Sequence, residues 1–284
     1  MSFKHYLLIA GYYPLRAFNK IGRRRTSRLR VLLYHNISPT DEANFECQLR
    51  WLSKSWQFVT PEHFSEMVDG TKPVERDSLL LTFDDGFMSN RVVTERVLNP
   101  LGISALFFIV SNFANLSRHG DWRRFVAEKI DPGLRPEDIP NHKQNMSVGD
   151  LKFLKETGHT IGAHTANHKR LSTTLIENLD YEIIKSADDL EQSVGIKIEH
   201  FAYTFGDLSS FSLSSLTLAR SRFKYIYTGL RGNNAGTNSP CVIRRDSCSP
   251  TDHPFVLGAF LEGGVDRLYK TSLEDFESWV RQSD

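Results

Sequence analysis

Short unbroken apolar runs alternate along this chain with stretches whose apolar residues recur at helical spacing. Residues 31–34 (Val-Leu-Leu-Tyr) read as a buried strand that ends at His35 and Asn36, and Phe45, Leu49 and Leu52 then predict a helix. Thr60 before Pro61 predicts a second helix, with a cap and a proline at its first position. Phe64, Met67 and Val68 form its apolar side, and Gly70 closes it. Residues 78–83 predict a strand. Val92, Val93 and Val97 mark a helix that stops before Pro100, and residues 103–110 predict a strongly apolar strand.

The alternation resumes with helices over residues 147–156 and 174–194. In the second, Leu175, Leu179, Ile183 and Leu190 lie near one face, Thr174 and Glu177 spell a capping box, and Gly195 is the stop. A strand over 198–203, a helix over 213–219 and a strand over 225–228 follow. Strands alternating with helices predict an α/β fold around a mainly parallel sheet, open or closed into a barrel. Residues 112–145, rich in charge and proline, break the rhythm and are expected to form a surface excursion.

At 284 residues, with 40% hydrophobic and 24% charged positions, the chain suffices for one large domain or two small ones, and collagen, coiled coil and wholesale disorder are excluded. Lys and Arg number 35 against 34 acidic residues, so no nucleic acid partner is expected from charge. Cys47, Cys241 and Cys248 make an odd count with no C-x-x-C spacing, which fits a reducing, cytoplasmic setting.

The first 30 residues stand apart from residues 31–284. Residues 6–18 are largely apolar and aromatic, and Lys20, Arg23, Arg24, Arg25, Arg28 and Arg30 follow. A secretory signal has the reverse order of charge and apolar stretch. The apolar part is interrupted by Gly11 and Pro14 and is shorter than the ~20 residues that span a bilayer. Two readings fit: peripheral contact with an anionic membrane at its inner face, and an ordinary leading helix with a solvated basic linker.

Candidate chemistry begins where the apolar run 79–83 meets Asp84, Asp85 and Gly86. At the C-terminal end of a parallel strand these carboxylates would face an active-site rim. Two adjacent ionised acids repel unless a cation is near. The alternative is a plain Asp-Gly turn. A second constellation, Gly162-Ala-His164-Thr-Ala-Asn-His168, spaces two imidazoles so that they can converge on one ion. With one carboxylate and open positions, such a set is a catalytic rather than a closed structural site. His-x-x-x-His also occurs by chance. His159, and likewise His5, His63, His119, His142 and His200, are expected in solvated or capping roles.

Together, Thr82-Phe-Asp-Asp-Gly86 and the later Gly-x-His-Thr-x-x-His resemble the polysaccharide deacetylase family, carbohydrate esterase family 4, with its NodB-homology domain. Tyr34-His35, Ala105 to Ile109 and Gly158-His-x-Ile-Gly162 agree with it, and the likeness runs over about residues 31–245. The resemblance implies a distorted, incomplete parallel (β/α) barrel. It implies that Asp85, His164 and His168 hold one divalent metal, usually zinc, and that Asp84 is the general base acting on the metal-activated water. The activity implied is removal of an N-acetyl or related acyl group from a sugar in a polysaccharide, glycolipid or precursor. A carbohydrate-binding pseudoenzyme without turnover is the alternative.

The family's third motif, arginine-x-phenylalanine-arginine-x-proline-aromatic-glycine, is altered in His200-Phe-Ala-Tyr-Thr-Phe-Gly206: Ala202 stands for the second arginine and Thr204 for proline. Tyr203 and Phe205 are the substrate or oxyanion candidates, the latter through a backbone N–H. The missing arginine leaves open what orients Asp84. No Asp-x-x-Asp-Trp follows, and no leucine-x-histidine after residues 241–245. His253 is therefore the candidate general acid downstream, with His35 as a comparable one at the first strand end.

Overall fold

The computed structural model describes residues 3–21, 27–117, 121–237 and 239–283. Strands β1 (Leu29–Tyr34), β2 (Gln57–Phe58), β3 (Ser78–Phe83), β4 (Ala105–Ile109), β5 (Thr160–Ala163), β6 (His200–Ala202), β7 (Tyr225–Tyr227) and β8 (Asp246–Ser247) form one eight-stranded sheet. Its order is β7-β6-β5-β4-β3-β1-β8, with β2 beside β3. Every strand pair is parallel. The sheet curls into the expected incomplete, distorted (β/α) barrel. A parallel sheet brings all strand C-termini to one edge, and the acid pair and the histidine loop both emerge there.

β1 and β3 are buried at every residue, as unbroken apolar runs require when both faces are covered. Alternate residues separate the faces. Leu32, Tyr34, Phe83, Phe107 and Phe201 pack under the helices, whereas Val31, Leu80, Phe108 and Tyr227 form a second cluster on the opposite face.

Four expectations need correction. The helix beginning at Met88 runs past Pro100 to Leu101 through a wide turn at Thr94–Leu98, in which Asn99 N donates to Thr94 O. The widened turn removes the carbonyl clash that a proline ring meets in a regular helix. Thr174 and Glu177 form no capping box: the helix begins at Ile176 without a side-chain cap, because the Thr174 hydroxyl donates instead to Arg170 O. Residues 112–145 break the alternation as expected but are more than surface, since Phe113, Trp122, Val126, Ile130 and Ile139 build an apolar cluster with Phe87 and Val110. Finally, His159 and His200 are buried rather than solvated. His159 Nδ1 accepts from Ala105 N, and His200 stacks on Tyr225.

The N-terminal segment forms helix α1 (Phe3–Ile21), continuous through Gly11 and Pro14. Its Tyr12 is buried against Trp51 and Phe255. Arg28 pairs with Asp77 and Glu262, and the buried Arg30 bridges Asp246 and Asp266, so part of the expected basic patch is internal structure. Arg23, Arg24 and Arg25 lie outside the described residues. Among the described residues no helix is long and apolar enough to cross a membrane.

Candidate active site

The parallel strand ends deliver the side chains. Asp84 continues β3 and donates its N–H to Tyr34 O, while Asp85 has a left-handed backbone (φ 76°). That reversal directs two adjacent carboxylates to different partners. Among the described residues four non-glycine positions have positive φ: Asp85, Thr165, His168 and Phe205. All four belong to the segments that build this site, where strain is held by surrounding structure.

His164 directly follows β5, and the loop after it returns His168 to the same point. Glu182 anchors that loop: its buried carboxylate accepts from Asn167 N and Asn167 Nδ2, and its carbonyl accepts from Ala166 N. Each imidazole is oriented through Nδ1. His164 Nδ1 meets Ala202 O at 2.8 Å and His168 Nδ1 meets Lys129 O at 2.8 Å. A carbonyl only accepts, so both Nδ1 atoms carry the proton and, in the neutral imidazoles, both Nε2 atoms present a lone pair inward.

Asp85 Oδ1 lies 3.3 Å from His168 Nε2 and 3.7 Å from His164 Nε2. This oxygen is buried and has no hydrogen-bond partner. One ligand atom from each of Asp85, His164 and His168 lies within 4.8 Å of the others. Three inward acceptors without a donor between them fit a divalent cation, and a mixed N/O set suits zinc and its neighbours. Burial pushes His164 down to about 4, so its imidazole is neutral at physiological pH. Burial alone would raise Asp85, but His168 in its protonated form outweighs it and holds the carboxyl well below its usual range, and a bound cation would take the place of that proton. Burial likewise lowers His168, and Asp85 reverses that shift.

Asp84 has a different partner. Arg245 Nη1 and Nη2 donate to its two oxygens at 2.6 and 2.9 Å, and Arg245 Nε donates to Thr228 O at 2.8 Å. Both members of the pair are buried. Each carboxylate oxygen keeps a second lone pair, so the fork leaves Asp84 able to accept a proton. The Asp84 carboxylate is 3.8 Å from His164 Nε2, beside the cluster but outside it.

These groups line a cavity of about 350 Å³ whose walls also include His35, Asp131 and Lys143. Asp131 and Lys143 form an ion pair contributed by the segment expected only as a surface excursion.

The polysaccharide deacetylase family model matches residues 71–221, more than half of the chain. The chain belongs to the polysaccharide deacetylase family. The Bacillus subtilis (strain 168) protein YxkH, named for the same family, is 24% identical over 158 residues; the match spans 54% of this chain and 47% of that relative, so it covers less than half of the relative's length. Two solved structures share the fold. IcaB from Ammonifex degensii has a TM-score of 0.67 at 20% identity, over 83% of this chain and 97% of that one. Streptococcus pyogenes deacetylase PplD, solved in complex with acetate, has a TM-score of 0.65 at 19% identity, over 82% and 97%.

Of the two positions altered against the family's third motif in this deacetylase-family chain, Ala202 contributes through its backbone and Thr204 through its side chain. Ala202 supplies the carbonyl that orients His164. Thr204 donates to Lys169 O, tying the end of β6 to the histidine loop. The arginine absent at position 202 has a counterpart in Arg245, just before β8. Sequence reasoning missed it because Arg244-Arg245 offers no signal of which side chain turns inward; Arg244 pairs with Glu277.

Tyr203 and Phe205 both line the cavity. The Tyr203 ring is stacked on Phe211, and burial holds its phenol well above 10. Phe205 is half exposed, packed between the His168 ring and the Arg170 guanidinium. His253 is not brought to the site. It is exposed and caps the helix Pro254–Leu261, its Nδ1 accepting from Phe255 N. His35 is the histidine outside the cluster that reaches the cavity, near enough that its charge bears on Asp85.

Proposed function

We propose that this chain is a metal-dependent hydrolase that removes an N-acetyl or related acyl group from a sugar in a polysaccharide, glycolipid or precursor. The observation that carries the reading is the division of labour between neighbouring acids. Asp85 faces two imidazole lone pairs, and Asp84 is held beside them by Arg245. A binding module has no use for a second buried acid aligned in this way.

Asp85, His164 and His168 would hold one divalent cation, with zinc the expected ion. When bound, it lowers the pKa of a water and polarises the acyl carbonyl. Asp84 accepts the proton of the attacking water on an oxygen lone pair that Arg245 leaves free. Phe205, which lines the cavity, would offer its backbone N–H to the developing oxyanion. His35, rather than His253, donates the proton to the departing amine. Phe205 and the Asp131–Lys143 pair border the space for the sugar.

The direct test is acetate release from N-acetylated and O-acetylated oligosaccharides, after purified protein is loaded with zinc, cobalt, nickel or manganese. About one ion per chain and metal-dependent acetate release are expected, and His164→Ala should lose the ion. Unchanged metal content in that variant refutes the ligand assignment. Oligosaccharide binding without acetate release from any substrate would favour the pseudoenzyme.

The acid assignment has its own test. His35→Gln should lower kcat by roughly 10²-fold while metal content stays the same, whereas His253→Gln should leave kcat nearly unchanged. A large loss in His253→Gln with an active His35→Gln reverses the assignment.

A further inference from the structure

Helix α1 is a surface helix with the wrong surface for water. Its inner side is occupied: Tyr12 is buried, Arg16 points to Glu262 and Ser55, and Asn19 bonds Glu262. The described residues exposed on its outer side are Tyr6, Ala10, Gly11, Tyr13, Pro14, Ala17 and Phe18, none of them charged. At 100° per residue these seven lie within one arc on the side opposite Tyr12, Leu15 and Asn19. Tyr6, Tyr13 and Phe18 are 61%, 61% and 68% exposed. A helix lying on a soluble body normally turns charged residues outward, and a contiguous apolar face marks an interaction surface.

Charge identifies the partner. The chain has no acidic residue before Asp41, although basic and acidic residues nearly balance over the whole molecule. Arg16, Arg28 and Arg30 are paired inside the fold. In the sequence, Lys4 precedes the apolar stretch 6–18, and Lys20, Arg23, Arg24 and Arg25 follow it. Tyrosine and phenylalanine flanked by lysine and arginine suit the headgroup boundary of an anionic bilayer, where rings enter the interface and cations meet lipid phosphate.

We propose that the outer face of α1 is an interfacial anchor that lays this protein on an anionic membrane, without spanning it. The proposal is independent of the hydrolase reading, because the measurement below does not involve turnover.

The test is co-sedimentation of the full chain with vesicles of phosphatidylglycerol and phosphatidylcholine, compared with phosphatidylcholine alone. The wild-type protein should partition onto the anionic vesicles, and less as salt is raised. The double variant Tyr6→Ser/Phe18→Ser removes outward aromatic side chains and leaves Tyr13, whose ring packs edge-on against Phe255, in place. It should keep the wild-type melting temperature and lose partitioning by at least ~10-fold. Arg23→Glu/Arg24→Glu/Arg25→Glu should lose the preference for anionic lipid. Equal partitioning of wild type and the aromatic variant overturns the proposal, as does failure of the wild type to bind. So does a wild-type dimer, seen by sedimentation velocity, that the aromatic variant converts to monomer, because the face would then be covered by a second copy.

Discussion

Asp84→Asn should keep its metal and lose its hydrolysis, with kcat reduced by about 10³-fold or more. The substitution removes the lone pair that takes the proton of the attacking water and leaves Asp85, His164 and His168 untouched. It also sets an amide against Arg245, whose two N–H groups now contact Asp84 at 2.6 and 2.9 Å. An amide offers one acceptor oxygen, and its NH2 group would face a donor. A buried guanidinium left half-paired costs about 3–5 kcal/mol, so a lower denaturation midpoint should accompany the loss of activity. Metal analysis and denaturant unfolding of the same sample separate the effects. Retention of substantial acetate release by a folded, metal-loaded Asp84→Asn would remove the general-base role.

Arg245→Lys should behave differently. Lysine keeps the buried positive charge, but its ammonium is a single point and cannot bridge two carboxylate oxygens while also donating to Thr228 O. The carboxylate of Asp84 then gains freedom to rotate. Because Arg245 acts through Asp84, its role is positioning, and kcat should fall by about 10²-fold with KM little changed. Metal content should equal that of the wild type. The discriminating readout is the pH profile of kcat/KM: an altered environment of Asp84 should move its acidic limb, whereas simple loosening of the fold should lower the whole curve. An Arg245→Lys enzyme with wild-type kcat would mean that the fork contributes stability alone.

How much was legible in the sequence differs sharply between neighbouring residues. The β1 and β3 runs are continuous apolar segments because both faces of a parallel strand are buried, so their identity is written locally. The acid pair and the histidine pair were readable for a related reason: each sits at a strand end, and motif order and spacing carry the likeness to the family. Arg245 was not readable in that way. Its partner Asp84 is 161 positions away, and the contact exists because β8 lies next to β1, which lies next to β3. His253 shows the converse. A histidine at a sensible distance downstream became a helix cap, because the Asp252-His253-Pro254 step starts a helix on the outside of the barrel.

The segment 112–145 makes the same point at larger scale. Charge and proline suggested surface, yet its scattered apolar residues close on Phe87 and Val110, and the backbone of Lys129 orients His168. Neither role has a sequence period.

By itself, then, the sequence determined the alternating parallel architecture, the chemical types gathered at the rim and the apolar, acid-free character of the first helix. Those properties depend on residues close together in the chain. Tertiary structure decided which arginine holds the second acid, which histidine reaches the cavity and which side of α1 meets solvent. Each of those depends on the curl and strand order of the sheet, which join positions that no local pattern connects.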